Sequence, residues 1–397
     1  GKDGLSRVTA RALRRGADGM SALELDAAID RLGSELSPDV SASTLGMHGQ
    51  VIKKNATAFV DLVARMMGAP TFADDEVARL LRESRAELEE ARDNDRGLAQ
   101  VAFRRAVFGE AHPYGRGASG RVSTLGGLTR ADVLASYQRH FVRENLVLGF
   151  AGDVTIDEAR ALGERIVRAL PSGAPPAGAI AEPGPLSGRR LVFVDKPERT
   201  QTQILIGGLG TRADDPDHSA LAAGVAVFGG TFTSRLMREV RSKRGWSYGA
   251  SARIAIERAR HAFTMWTFPA ATDAGACLAL ELDLLEKLTT SGVTPRELAF
   301  IKNYLVRSHA FDVDTPQKRL HQALDTDLLG LPADYYASYV DRVRGVTVPG
   351  VHDALRQRIT TGDLVIVVVG TAATTLAAVR DAVPHLAHHE VVPYDRD

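Results

Sequence analysis

Apolar residues in the first half of the chain recur at intervals of three and four, which is the period of a helix with one buried face. Two neighbouring stretches show this pattern, namely Phe59, Leu62, Val63, Met66 and Met67, and then Val77, Leu80, Leu81 and Leu88. Stripes of Met and Leu predict helices that face a core rather than ligand-binding segments. Thr71 and Thr294 each precede acidic residues, and we expect each threonine to cap the start of a helix.

Strand-like segments alternate with these helices. Two strands are predicted in SASTLGMHGQV (41–51) and YGASARIAIE (248–257). The second half also opens with two strand-like segments, RLVFVDKP (190–197) and QTQILIGG (201–208), before a helical stretch near residues 218–228. The first half opens almost directly on the matching helix at residues 5–13. Internal comparison therefore predicts that about thirty residues of sheet are absent from its front.

Two landmarks repeat along the chain with the same spacing. Each half contains a threonine, a helical stretch and then a strand-like segment, which is NLVLGFAG (145–152) in the first half and DLVIVVVG (363–370) in the second. Thr347 lies 218 residues after Thr129, and Gly370 lies 218 residues after Gly152. Equal spacing at both landmarks predicts an internal duplication.

A proline-rich segment separates the two halves. Residues 171–188, PSGAPPAGAIAEPGPLSG, contain five prolines and little that could form a core, which is typical of a linker. The predicted fold is α+β, with two homologous sandwich domains at residues 1–170 and 189–397. Each domain is expected to contain a mixed or antiparallel sheet with helices on one face.

Composition excludes several classes of protein. Lys+Arg and Asp+Glu balance at 49 each, so no net charge favours nucleic acid. The apolar run at residues 364–369 suits a buried strand and is too short for a membrane span. Cys277 is the sole cysteine, which excludes an internal disulfide and a cysteine zinc site. The compartment stays open between the bacterial periplasm, which we favour, and the cytoplasm.

Local motifs offer little chemistry of their own. His385 and His389 have a spacing of four, but His388 stands where an inverted zinc motif needs its glutamate, so a solvated tail is the better interpretation. HPYGRG (112–117) has the Gly and Pro content of a structural loop. The paired glycines of ILIGGLG and VFGGTFTSR lack the features of a nucleotide-binding loop. We find no nucleophile and base that would indicate an independent enzyme.

Arg241 and Tyr248 lie at a helix-to-strand junction, in RSKRGWSYGA (241–250). Gly245 ends the predicted helix, so Arg241 lies in its last turn and Tyr248 begins the next strand. An arginine at a helix C-terminus and a tyrosine in a strand are both ordinary structural choices. The same junction can also place a guanidinium and a phenol side by side on a substrate.

Nearly the whole chain resembles the pitrilysin-type zinc peptidases, and most closely their mitochondrial processing peptidase-like subfamily. The resemblance rests on GGTFTSRLMREVRSKRGWSYGAS, on HPYGR and NLVLGFAGDV in the first half, and on the two similar halves joined by a Pro-rich linker. In that family the first helix carries H-x-x-E-H. Here Arg7 and Arg11 stand in the positions of the histidines and Ala10 in that of the glutamate. The resemblance puts Glu87 or Glu89 at the place of the last ligand.

The resemblance implies that this chain has no zinc site, because a guanidinium has no lone pair to donate to a metal. It also implies that Arg241 and Tyr248 reach a peptide bound at a zinc site on another chain. The expected partner is a homologous zinc-bearing subunit in a heterodimer, with a homodimer as an option for the isolated chain. The expected substrate is a peptide or an unfolded polypeptide. The alternative function is a catalytically inert, peptide-holding subunit of the same fold.

Overall fold

A computed structural model describes residues 1–176 and 178–397. Residue 177, within the predicted linker, lies outside the described residues. Before the linker the helices are α1 (Leu5–Ala12), α2 (Ala22–Arg31), α3 (Ala56–Gly68), α4 (Asp74–Glu90), α5 (Asp95–Phe108), α6 (Val122–Gly126), α7 (Arg130–His140) and α8 (Ile156–Ala169). After it they are α9 (His218–Val225), α10 (Ala274–Ser291), α11 (Pro295–Asp312), α12 (Pro316–Leu329), α13 (Tyr339–Gly345), α14 (Val348–Arg358) and α15 (Ala372–Asp381).

Strands form one small and one large sheet. The strands are β1 (Glu35–Val40), β2 (Leu45–Gln50), β3 (Arg189–Asp195), β4 (Gln203–Leu209), β5 (Ala250–Ile254), β6 (Ala262–Thr267), β7 (Val365–Gly370) and β8 (Leu386–Pro393). β1 and β2 form an antiparallel hairpin, and the other six strands form one sheet in the order β5-β6-β4-β7-β3-β8. β3 runs parallel to β7 and β8, whereas the remaining pairs are antiparallel. The predicted α+β class with a mixed sheet is confirmed.

The large sheet is covered on both faces. Alternate side chains of its strands, among them Phe193 and Ile204, pack with α10 and α14 in one core. Their neighbours, among them Val192 and Val365, pack with α5 in a second core. α5 precedes the linker. The first half therefore covers one face of the large sheet, and the helices of the second half cover the other face. A separate core holds α1, α3 and α4 together.

Two capping predictions have different outcomes. Thr294 caps α11, because its side chain accepts a hydrogen bond from the backbone N–H of Glu297, whose carboxylate accepts from the Thr294 N–H in return. The prediction for Thr71 is wrong, since α4 begins at Asp74 after Ala73. The backbone of Phe72 adopts a φ of 46°, which turns the chain before the helix starts.

The predicted strand at residues 145–152 does not form. Leu146, Leu148 and Phe150 alternate toward the first-half core, so the segment is buried on one side although it forms no strand. No strand neighbours this segment in the part of the chain that the structure describes, and extended backbone without a partner makes no ladder. α12 instead approaches it closely, because a Cβ built on Gly149 would lie 2.4 Å from a Leu320 methyl carbon.

The histidine-rich segment near the C-terminus is an edge strand rather than a loose tail. β8 pairs with β3, and its polar side chains remain exposed on both faces. In an extended strand neighbouring side chains point to opposite faces, so His388 and His389 do not converge. Among residues 1–176 and 178–397, no helix combines the length and the apolar character that crossing a membrane requires.

Candidate functional site

Arg241 and Tyr248 lie side by side on the surface. The guanidinium carbon of Arg241 lies 4.2 Å from the centroid of the Tyr248 ring, which is the geometry of a cation–π contact. The Tyr248 side chain is 75% exposed although it is a large aromatic residue. The structure therefore brings together the two residues that sequence analysis singled out, and leaves their polar groups accessible.

The turn between the two residues is held by backbone hydrogen bonds. The N–H of Gly245 donates to the Arg241 carbonyl at 3.0 Å, and the N–H of Trp246 donates to the Val240 carbonyl at 3.1 Å. Gly245 has a φ of 66°, a backbone conformation that side chains with a Cβ adopt at a cost. The chain reverses direction at Gly245, so that Tyr248 lies over the end of the helix that carries Arg241.

Ser247 fixes the backbone on either side of Tyr248. Its buried hydroxyl donates to the Gly249 carbonyl at 2.7 Å and accepts a hydrogen bond from the Phe268 N–H at 3.1 Å. A buried residue with satisfied polar groups therefore precedes an exposed phenol. The position of Tyr248 is set by the fold, whereas its ring contributes little to the core.

Phe232 is a third member of this site that sequence analysis missed. Its ring centroid lies 4.6 Å from the guanidinium carbon of Arg241, and its side chain is 72% exposed. Arg241 thus contacts two exposed aromatic rings, which restrict the guanidinium without hiding it from solvent. One sequence feature could have pointed to Phe232: it is a phenylalanine in the Gly- and Thr-rich segment GGTFTSR, where no pattern predicts a buried position.

Two helical segments next to the site contain π-helical turns, which are wider than those of an α-helix. Ala226–Gly230 and Met237–Ser242 are both π-helical turns, a form that is often found at functional sites. The first turn packs tightly on β5, because a Cβ built on Gly229 would lie 2.3 Å from the Ala252 nitrogen. Only glycine permits this approach, which explains Gly229 without nucleotide binding.

Arg7, Ala10 and Arg11 lie together on α1, facing α4. Arg11 makes a bidentate contact with the Glu87 carboxylate at 2.9 and 2.7 Å, and Arg7 approaches the same carboxylate at 3.2 Å. Ala10 is fully buried. Of the two glutamates named from the sequence, Glu87 is the one against these positions, and Glu89 is exposed.

These residues do not fit a zinc ion. Guanidinium nitrogens carry protons and no available lone pair, and the single carboxylate is already engaged by both arginines. The buried methyl group of Ala10 offers no general base. Arg7, Arg11 and Ser119, together with the edge of β1, line a half-open cavity of about 360 Å³. Cationic side chains therefore occupy the place where the resemblance would put a metal.

Zinc binding can be measured directly. We expect elemental analysis of the purified chain to find far less than one zinc per chain, and expect the chain alone to cleave no peptide, because the donor set cannot hold or use the metal. One tightly bound zinc per chain that disappears on substitution near Arg7 would contradict this expectation. Titration with added zinc, monitored by the same analysis after gel filtration, serves as the control.

The fold and the replaced motif together define a non-catalytic relative of a metallopeptidase. Residues 127–305 match the family described as "Peptidase M16 inactive domain". This match, over less than half of the chain, agrees with the resemblance to pitrilysin-type M16 peptidases. The inactive-domain match supports a chain without catalytic activity on its own.

Similar proteins carry both peptidase and non-peptidase names. The chain is 19% identical to "Non-peptidase homolog YmxG" of Helicobacter pylori, over 92% of this chain and 84% of that protein. It is 30% identical to an "uncharacterized zinc protease" of Mycobacterium leprae, over 59% of this chain and 53% of that protein. It thus spans about half the length of that mycobacterial relative. A solved "peptidase M16 inactive domain" from Pseudomonas fluorescens superposes with a TM-score of 0.85 at 25% identity, covering 93% of this chain and 89% of the other.

Proposed function

We propose that this chain is the non-zinc subunit of a heterodimeric zinc metallopeptidase and that Arg241 and Tyr248 act on a peptide bound at the partner's zinc site. The observation that carries the proposal is the Arg241–Tyr248 pair, in which a half-buried guanidinium and an exposed phenol lie side by side on backbone that the fold holds in place. The absence of a usable ligand set at Arg7 and Arg11 is consistent with chemistry that begins on another chain.

The two side chains suit the charge that develops during peptide hydrolysis. Attack on a peptide carbonyl places negative charge on its oxygen, and preorganised donors stabilise that charge. Arg241 supplies a permanent positive charge with several N–H donors, and Tyr248 supplies one O–H donor. The zinc of the partner would supply the activated water. This chain would hold its donors at the correct distance by means of the interface between the subunits.

Reconstitution tests this proposal. We expect the chain to co-purify with a homologous H-x-x-E-H subunit encoded beside it, and expect the mixture to hydrolyse peptides much faster than either chain alone. The control is the same mixture with the partner's glutamate replaced by glutamine. A stable complex in which substitution of the Arg241–Tyr248 pair has no effect would favour the inert, peptide-holding subunit. A zinc-bearing homologue that is fully active alone and forms no complex would refute the proposal.

A further inference from the structure

Arg104 lies at the contact between the two halves, and no carboxylate among the described residues forms an ion pair with it. It lies on α5, the helix that packs against the large sheet. Its Nε atom is shielded from solvent and has no hydrogen-bond partner in the described part of the chain. Burial lowers the pKa of Arg104, and the neighbouring positive charge of Arg105 lowers it further. No described carboxylate offsets these two effects.

His261 of the second half lies near Arg104 and is kept neutral by its surroundings. Phe108 lies one helical turn after Arg104, and its ring centroid is 5.0 Å from that of His261, which begins the turn into β6. His261 also has a buried ring nitrogen, Nδ1, without a partner. Its pKa falls to about 4, first because of burial and then because of the nearby charges of Arg104, Arg253 and His112.

Arg253 approaches the same region from the second half. It lies on β5 opposite Thr264 of β6, and its side chain is exposed. Ala250 and Ala252 point into the second-half core, so the alternation of the strand places Arg253 on the other face, toward the first half. Arg104 and Arg253 are therefore contributed by different halves and point to a shared region.

A loop connects this region with the cavity over Arg7 and Arg11. A Cβ built on Gly117 would lie 3.4 Å from a terminal nitrogen of Arg104. The next two residues, Ala118 and Ser119, line that cavity, and the hydroxyl of Ser119 accepts a hydrogen bond from Arg7 at 3.0 Å. The backbone at Gly117 therefore lies in van der Waals range of the guanidinium.

The positive charge of Arg104 is suited to binding an anion. An arginine cannot give up its proton at ordinary pH, so the half-buried Arg104 stays charged, and a charge partly removed from water without a counter-ion is unfavourable. Three neighbouring arginines have partners: Arg7 and Arg11 bind Glu87, and Arg105 donates to the Asp397 carbonyl. A planar guanidinium matches a carboxylate through two parallel hydrogen bonds.

We propose that Arg104, assisted by Arg253 and the Gly117 loop, binds a carboxylate of a peptide that lies between the two halves. The proposal rests on the proposed function and names its substrate class, which is peptides carrying a carboxylate on an acidic side chain or at the C-terminus. The site lies on this chain alone, so binding can be measured without the partner and without hydrolysis.

Fluorescence anisotropy with three labelled peptides tests the proposal on the full chain. The first peptide contains glutamates and an amidated C-terminus, the second contains glutamines and a free C-terminus, and the third contains glutamines and an amidated C-terminus. We expect the third to bind at least about ten-fold more weakly than one of the other two, since a charge-assisted contact is lost. Whichever of the first two binds more tightly identifies the source of the carboxylate.

Substitutions separate binding from structure. Arg104→Met should abolish the preference for a carboxylate, Arg104→Lys should retain part of it, and Arg160→Met, an exposed arginine on α8, should leave it unchanged. The free Arg104→Met chain should melt no lower than the wild type, because an unpaired charge has been removed. Equal binding of all three peptides, an undiminished preference in Arg104→Met or a lower Tm of that variant would each overturn the proposal. Failure of hydrolysis in the reconstituted complex would leave these measurements unaffected.

Discussion

Replacing Tyr248 by phenylalanine in the reconstituted complex is expected to lower peptide hydrolysis by about 10- to 10³-fold. The change removes one hydroxyl and retains the ring that contacts Arg241, so a loss of rate reports the loss of a hydrogen-bond donor. The ring is 75% exposed, and Tm should therefore change little. If the hydroxyl acts on the transition state, kcat should fall and KM should change less.

Arg241→Ala is expected to produce a loss of the same order. This variant removes the positive charge and also releases the two rings of Phe232 and Tyr248 from their contact with the guanidinium. Arg241→Lys keeps the charge and loses the planar fork, so it should restore only part of the activity. Phe232→Ala should have a smaller effect than Arg241→Ala, since it loosens the arginine without removing it.

A matched control lies on the same helix. Arg238 is exposed and contacts Glu239, and Arg238→Ala should leave hydrolysis close to the wild-type rate. Steady-state kinetics and melting curves on the same samples distinguish a catalytic loss from a structural one. Full activity of Tyr248→Phe in a stable complex would assign Tyr248 to packing and would make the chain a scaffold.

Periodicity predicted most helices because it records burial, which also drives folding. The Met and Leu stripes at residues 59–67 and 77–88 became α3 and α4, and both face the first-half core. Periodicity did not predict strand formation at residues 145–152. Alternating burial shows which side chains point inward, whereas a strand also needs a neighbour to pair with, and that information lies elsewhere in the chain.

The candidate site was predictable only in part. The spacing of Arg241 and Tyr248 is visible in one short stretch of sequence. The resemblance to pitrilysin-type peptidases then suggested that both residues contact a bound peptide. Phe232 and the two π-helical turns could not be read in this way, because a wide turn has no distinct residue pattern. Arg104 lies in a charged helix, where arginines are ordinarily solvated. Its neighbours, the Gly117 loop and His261 of the second half, cannot be read from the sequence of α5.

Glu281 is a buried carboxyl group that contacts the strand pair next to the site. It lies on α10, is fully buried, and accepts a hydrogen bond from the Thr267 hydroxyl at 3.0 Å through Oε2. Oε1 has no partner in the described part of the chain. Thr267 pairs with Ala250, two residues after Tyr248, so Glu281 supports the strand pair that carries the site.

Burial raises the pKa of Glu281 to about 8, and the hydrogen bond from Thr267 offsets only part of this effect. The folded protein therefore binds this proton more tightly than the unfolded chain, whose glutamate titrates near 4.5. Between these two pH values the folded state holds the proton and the unfolded state does not. The contribution of Glu281 to the free energy of unfolding is complete below about pH 4.5 and is lost as the pH rises toward 8.

Glu281→Gln should remove this pH dependence. The amide has nearly the same shape as the protonated carboxyl and cannot ionise. We expect the free energy of unfolding of the wild type to fall relative to that of the variant as the pH rises from 5 to 8. The slope is about 1.4 kcal/mol per pH unit between the unfolded and folded pKa values, which gives a total of a few kcal/mol. Urea unfolding at each pH gives this difference, and other titrating groups cancel because both proteins contain them.

The exposed Glu286 provides the control on the same helix. Its side chain is 59% exposed, so Glu286→Gln should leave the pH dependence of the wild type unchanged. A charged carboxylate beneath Thr267 should also disturb the strand that positions Tyr248, and peptide hydrolysis by the complex should then be retained to higher pH in Glu281→Gln than in the wild type. Parallel stability curves for Glu281→Gln and the wild type from pH 5 to pH 8 would show that Glu281 is already ionised in the folded protein, and would remove the basis for both expectations.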